Sequence, residues 1–158
     1  MTLDLPALLD VLSRNDVRFV VIGGFAVGVH GHVRMTADLD LVPDPDPPNV
    51  DRLIAALTQI DARVPSGEPF DPAAHGPALR QGANATLATN VGGVDIVQRL
   101  AGVPGYAALE ASAIEASLDD VTVRVCSLAD LRAMKASAGR PVDLADLASL
   151  PEAPGSRS

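Results

Sequence analysis

The stretch GGFAVGVHGHVRMTADLDLVP, Gly23 to Pro43, ends in aspartates that alternate with leucines. Such alternation has the period of a β-strand, whose successive side chains point to opposite faces. Leu39 and Leu41 then anchor one face in a core. Asp38 and Asp40 share the other face, ~7 Å apart along the strand. Two like charges so placed repel each other. Either they face water at a sheet edge, or a cation sits between them. Mg²⁺ is the usual cation, because it binds through one or two carboxylates and completes its shell with waters and substrate phosphates. A later segment, VDIVQ, sets Asp95 between Val94 and Ile96. Asp95 reads either as a third metal ligand or as the solvent-facing residue of its own alternation.

The residues just before the aspartate pair are also suggestive. The β-branched run Arg18 to Ile22 reads as a buried strand and stops at Gly23-Gly24. Those glycines either turn the chain into the next helix or let a triphosphate approach backbone N–H groups. Arg34 and Thr36 are placed to contact phosphate. Arg34 reads equally well as a surface residue or as a neutraliser of Asp38.

Elsewhere the pattern predicts a helix over Leu5 to Asn15 and one or two helical turns at FAVGVH. Asn49 is expected to cap a helix running to about Ile60. Pro65 to Pro77 reads as a surface loop. Asn84 to Gln98 reads as a β-hairpin turning at Asn90 to Gly93. Tyr106 to Ala116 is expected to be helical, and Val121 to Ser127 a strand. Ser127 or Asp130 caps the next helix, LADLRAMKASA, which Gly139 and Pro141 end. VDLADLASL forms a last short helix. Strands and helices so mixed predict an α+β fold, a short mixed sheet flanked by helices.

The 158 residues suit one domain, residues 1–150, with a disordered tail at 151–158. Only 3% of the chain is aromatic, so no stacking platform for single-stranded nucleic acid is evident. The net charge of -8 excludes a general polyanion binder. Cys126 is the single cysteine, so no internal disulfide forms. The N-terminus carries no Lys or Arg over its first twelve residues and does not read as a secretory signal. The near-apolar run Phe19 to Val29 is too short to span a membrane. A soluble cytoplasmic protein is expected.

Taken together, the apolar strand, Gly23-Gly24, the spacer, Asp38-X-Asp40 and Asp95 resemble the nucleotidyltransferase superfamily of the DNA polymerase β type. Phe25 stands where that family usually places a serine. The string R-x-T-x-D-L-D at Arg34 to Asp40 looks most like the AbiEii-type toxin branch. So does MKASAGRPVDLADL, where Lys135, Arg140, Asp143 and Asp146 match that branch's Lys and Arg-x-x-Asp-x-x-Asp pattern. By chemistry alone, Lys135 and Arg140 either neutralise a triphosphate or sit at a solvated helix end. Asp143 and Asp146 read as partners of Arg140 at helical spacing.

The resemblance implies a metal-dependent nucleotidyltransferase that moves a nucleoside monophosphate from an NTP to a hydroxyl. Asp38, Asp40 and Asp95 would be catalytic and would hold Mg²⁺ or Mn²⁺. Gly23, Gly24, Arg34, Thr36, Lys135 and Arg140 would bind the nucleotide. The implied acceptor is a tRNA 3′ end, a protein side chain or a small molecule, and a cognate antitoxin is a further implied partner. Two alternatives stand beside this one. An antibiotic nucleotidyltransferase would suit an acidic surface and a cationic drug. A non-catalytic binding protein of the same fold would not need the three aspartates.

Overall fold

The computed structural model describes residues 2–118 and 120–152. Helix α1 (Leu5–Arg14) is capped by Asp4, whose carboxylate accepts from Ala7 N at 3.2 Å. Strand β1 (Phe19–Ile22) runs directly into α2 (Gly23–Val29), because Gly23 takes a left-handed φ of 72° that turns the chain. Strand β2 (Asp38–Pro43) follows, then α3 (Pro47–Gln59) and α4 (Pro72–Arg80). A hairpin of β3 (Ala85–Thr89) and β4 (Gly92–Ile96) precedes α5 (Tyr106–Ser112). The second hairpin is β5 (Ile114–Leu118) with β6 (Val121–Val125), and α6 (Leu128–Ala138) and α7 (Pro141–Ser149) complete the described chain.

The six strands form one mixed sheet in the order β3-β4-β2-β1-β6-β5. The strand at its centre, β1, pairs antiparallel with β2 and parallel with β6. Val20 and Val21 are consecutive and both are fully buried, so both faces of the sheet are covered there. The core is aliphatic, with Leu8, Leu12, Leu39, Leu41, Leu53 and Leu57 all almost wholly inaccessible. Burying such a leucine stabilises the fold by roughly 1.5–3 kcal/mol. Among the described residues no helix is long and apolar enough to cross a membrane.

Register positions the acids. β2 and β4 run parallel, with Asp38 opposite Gly93 and Asp40 opposite Asp95. Leu39 and Leu41, which alternate with the aspartates, and their neighbours Val94 and Ile96 are buried on the other face. On its second side Asp40 lies opposite Ile22, the last residue of β1.

Several elements differ from the sequence expectation. Residues 72–77, expected to lie in the loop from Pro65 to Pro77, belong instead to helix α4. Asp71 accepts from Ala73 N at 3.0 Å and Pro72 starts the helix, so proline here begins an element. Gly76 lets this helix approach α3 closely, since a methyl there would lie 3.3 Å from Ile54 Cδ1. The expected helix over 106–116 stops at Ser112. Ile114 to Leu118 pair with β6 instead, so tertiary pairing overrides local helical spacing. The hairpin turn is shorter than expected: Asn90 and Val91 form it, and Gly93 is already in β4. The cap of α6 is Ser127, which accepts from Asp130 N at 3.1 Å. The expected tail lies outside the described residues beyond Glu152.

Asn49 is the most informative difference. The cap of α3 is Asp46, and Asn49 lies inside the helix and is wholly buried. Its side chain accepts from Arg18 N at 2.7 Å and donates to Arg18 O and Asp44 O, each at 2.9 Å. It therefore satisfies the backbone at the start of β1 and the end of β2. Asn49→Ala strands Arg18 N and Asp44 O, while Arg18 O still accepts from Asp44 N at 3.0 Å, and should cost about 2 kcal/mol of unfolding free energy. Urea denaturation of both proteins measures this; a change below about 0.5 kcal/mol would contradict it.

Candidate active site

The carboxylates of Asp40 and Asp95 meet across the β2–β4 pair on one face of the sheet. Burial pushes the Asp40 carboxyl up to about 7, and its hydrogen bond and charge contact with Asp95 add to the rise, as does the charge of Asp38. The nearby Lys135 ammonium opposes it without prevailing. Asp38 is the more exposed acid, and partial burial followed by the Asp95 charge raises its carboxyl as well. Asp95 Oδ1 is buried and has no hydrogen-bond partner. Among the described residues no Lys or Arg forms an ion pair with Asp38, Asp40 or Asp95. Structural acids at this depth are normally paired, so this site holds uncompensated negative charge.

The cations lie beside the acids, held by a second pair of aspartates. Asp146 receives Arg34 Nε at 2.9 Å and Nη2 at 3.0 Å, a bidentate fork. Lys135 Nζ lies 3.1 Å from Asp146 Oδ2 and 3.2 Å from Asp143 Oδ1. Asp143 also receives Arg140 Nε at 2.7 Å and Nη2 at 3.1 Å. The result is a ladder, Arg34–Asp146–Lys135–Asp143–Arg140, three cations on two anions. The Arg140 hydrogen bond leads in holding Asp143 down at about 2. Burial pushes Asp146 up, but hydrogen bonds from Arg34 and Lys135 outweigh it and hold it below the usual carboxylate range. Lys135 is buried, so it is not a solvated helix end, and Asp146 is not a partner of Arg140. Helical spacing in the sequence shows Asp143 beside Arg140; only the tertiary fold shows that Asp146 reaches Arg34.

Gly23 sits against Asp40. A methyl at position 23 would overlap Asp40 Oδ2 and lie 2.8 Å from its Cγ. Gly24 packs on the loop before β2, where a methyl would lie 3.0 Å from Thr36 Oγ1 and 3.4 Å from Arg34 Nη1. Thr36 donates its hydroxyl to the Asp38 carbonyl at 3.0 Å. The glycine pair thus admits the acid strand and its preceding loop to close approach.

A cavity of about 290 Å³ opens beside the acids. Asp40, Asp95, Lys135 and Arg140 line its polar side, and Leu131 and Met134 its apolar side. A larger surface hollow of about 610 Å³ lies by Ser13, Asp16, Arg18 and Arg52, at the other end of β1. It contains no cluster of unpaired acids.

Among the described residues no group of three or more His, Cys, Asp or Glu is arranged to hold a metal as it stands. The Asp40–Asp95 pair nevertheless fits Mg²⁺, which needs only one or two protein carboxylates. The pair is adjacent, lacks a cationic partner and includes the orphaned Asp95 Oδ1.

No family model matches the chain, and no curated protein matches it by sequence. Solved structures do match by shape. One is an antigenic nucleotidyltransferase-like protein from Paracoccidioides brasiliensis, at TM-score 0.58 and 18% identity, covering 94% of this chain and 76% of that one. Another is a Thermotoga maritima protein provisionally classed as a nucleotidyltransferase, at TM-score 0.57 and 17% identity, covering 91% and 88%. The chain therefore has a nucleotidyltransferase-like fold.

Two expectations follow from the charges. Asp40 keeps its proton in the folded chain but loses it near 3.8 when unfolded. Its penalty therefore grows as pH rises from 4 to 7 and is complete above that. The metal-free protein should gain on the order of 1–2 kcal/mol between pH 8 and pH 5, and Asp40→Asn should flatten that slope. Calorimetry across this window tests it; equal slopes in both proteins would contradict it. Lys135→Met leaves two buried carboxylates short of a cation and should destabilise by about 3 kcal/mol. A denaturation midpoint equal to wild type would show that the ladder carries no such weight.

Proposed function

We propose that the protein is a metal-dependent nucleotidyltransferase. The observation that carries this is Asp40 abutting Asp95 with Asp95 Oδ1 buried and unpaired, on a nucleotidyltransferase-like fold. In the proposed reaction an acceptor hydroxyl oxygen bonds to the α-phosphorus of an NTP. The α–β bridging P–O bond breaks and pyrophosphate leaves with that electron pair. Asp40 and Asp95 would hold Mg²⁺, with Asp38 approaching from the exposed end of the strand. A bound Mg²⁺ supplies charge neutralisation and orientation to the transferring phosphoryl group. Asp95 would draw the proton from the acceptor hydroxyl. Gly23 and Gly24, whose open sides receive Asp40 and Thr36, would seat the acid strand and its loop beside the bound nucleotide. Arg34, Lys135 and Arg140 set a positive border against the phosphates.

The acceptor follows from charge. The AbiEii-type resemblance favours a tRNA 3′ end or a protein side chain. A second class, a small cationic or uncharged acceptor such as an aminoglycoside, is favoured by the net charge of -8 and by the pairing of all three site cations. Incubation with each labelled NTP, Mg²⁺ and either total tRNA, cell extract or an aminoglycoside panel identifies the labelled species.

Label should appear in one acceptor pool only with Mg²⁺ or Mn²⁺ present. Asp40→Asn should lower transfer at least about a hundredfold while keeping the fold intact by circular dichroism. A folded variant with full activity would overturn the proposal.

A further inference from the structure

We propose that Gly93 is a positioning residue for Asp38: the missing side chain on β4 is the seat of that carboxylate and fixes where it points. Gly93 lies opposite Asp38 in the parallel β2–β4 register. A methyl at position 93 would overlap Asp38 Oδ1 and lie 2.8 Å from its Cγ and 3.4 Å from its Cβ.

The backbone gives no other reason for glycine there. Gly92, its neighbour, has a φ of 118° and needs glycine to leave the turn. Gly93 is not among the residues with positive φ, and it pairs as an ordinary strand residue with both Asp38 and Ala88. A glycine inside a strand loses packing and costs chain entropy, and it commonly marks a close approach. Here the approaching group is the carboxylate.

Asp38 needs such a seat. It is exposed, and among the described residues no hydrogen bond or ion pair holds its carboxylate. Its backbone is fixed by Thr36 Oγ1 donating to Asp38 O at 3.0 Å and by Gly93 N donating to Ala37 O at 3.2 Å. The side-chain direction is left to sterics. Gly23 stands in the same relation to Asp40, so each acid of the pair rests on a glycine from a neighbouring element. Gly23 has a φ of 72°, so its replacement strains the backbone as well; Gly93 separates the two effects.

The inference rests on the proposed function only for what the carboxylate is used for. Three-bond NMR couplings at Asp38 report its χ1 in the metal-free protein. Wild type should show one rotamer, and Gly93→Ala should show another or an average, with the melting temperature nearly unchanged because Asp38 can swing into water. Mn²⁺ titration followed by electron paramagnetic resonance should show binding roughly tenfold weaker or more in Gly93→Ala. The same substitution in an Asp38→Ala background should change Mn²⁺ affinity little, because the group it acts through is gone. Rotamer averaging at Asp38 in wild type, an unchanged χ1 in Gly93→Ala, or equal losses in both backgrounds would overturn the proposal. If wild type takes up no Mn²⁺, the metal reading of the site fails, while the couplings still decide the role of Gly93.

Discussion

The parallel pairing of β2 with β4 sets Asp40 directly beside Asp95. Sheet formation therefore forces two carboxylates together in a partly buried place, where their repulsion is strong. The chain relieves that repulsion only in part, through the nearby charge of Lys135, and among the described residues no lysine or arginine pairs with either acid. It keeps a proton on Asp40 instead, up to about pH 7. The aliphatic face beneath holds the register. A one-residue slip would bring Leu39 and Leu41 out of the core and send the aspartates in. The same side-chain alternation thus stabilises the sheet and holds its unfavourable charges in place.

The ladder from Arg34 to Arg140 complements the acid pair. Asp146 and Asp143 are almost wholly buried, and each bridges two cations. They tie the loop before β2 to α6 and α7 through buried ion pairs. Lys135 is central, since it touches both aspartates of the ladder and its charge reaches Asp40. Positive charge is thereby fixed next to the acids without cancelling them, which suits a site that binds a cation and an anion together.

The strands were legible where alternation or β-branching was strong. Arg18 to Ile22 read as a strand from its β-branched run, and Asp38 to Val42 and Val121 to Ser127 from alternation; the strands observed are Phe19–Ile22, Asp38–Pro43 and Val121–Val125. The misread segments are those that long-range partners decide. Ile114 to Leu118 become a strand because β6 offers an edge. Asn49 looks like a cap in sequence, yet its amide serves the backbone of Arg18, 31 residues away. At the site, the common face of Asp38 and Asp40 came from spacing, while the sequence leaves Asp95 open and the β2–β4 register sets it beside Asp40. The burial of Lys135 and the reach of Asp146 to Arg34 did not come from spacing, since those contacts span α7 and the loop before β2. Gly93 had a readable signal, a glycine two residues before a strand aspartate, but its meaning required the β2–β4 register.

The central claim is that Asp40, protonated beside Asp95, exchanges its proton for a divalent cation. Counting protons released during a Mg²⁺ titration in weak buffer tests this most directly. At pH 6 wild type should release about one proton per ion bound, falling toward zero above pH 8, and Asp40→Asn should release far less at pH 6. Mg²⁺ binding without proton release at pH 6, or equal release from the variant, would contradict the account.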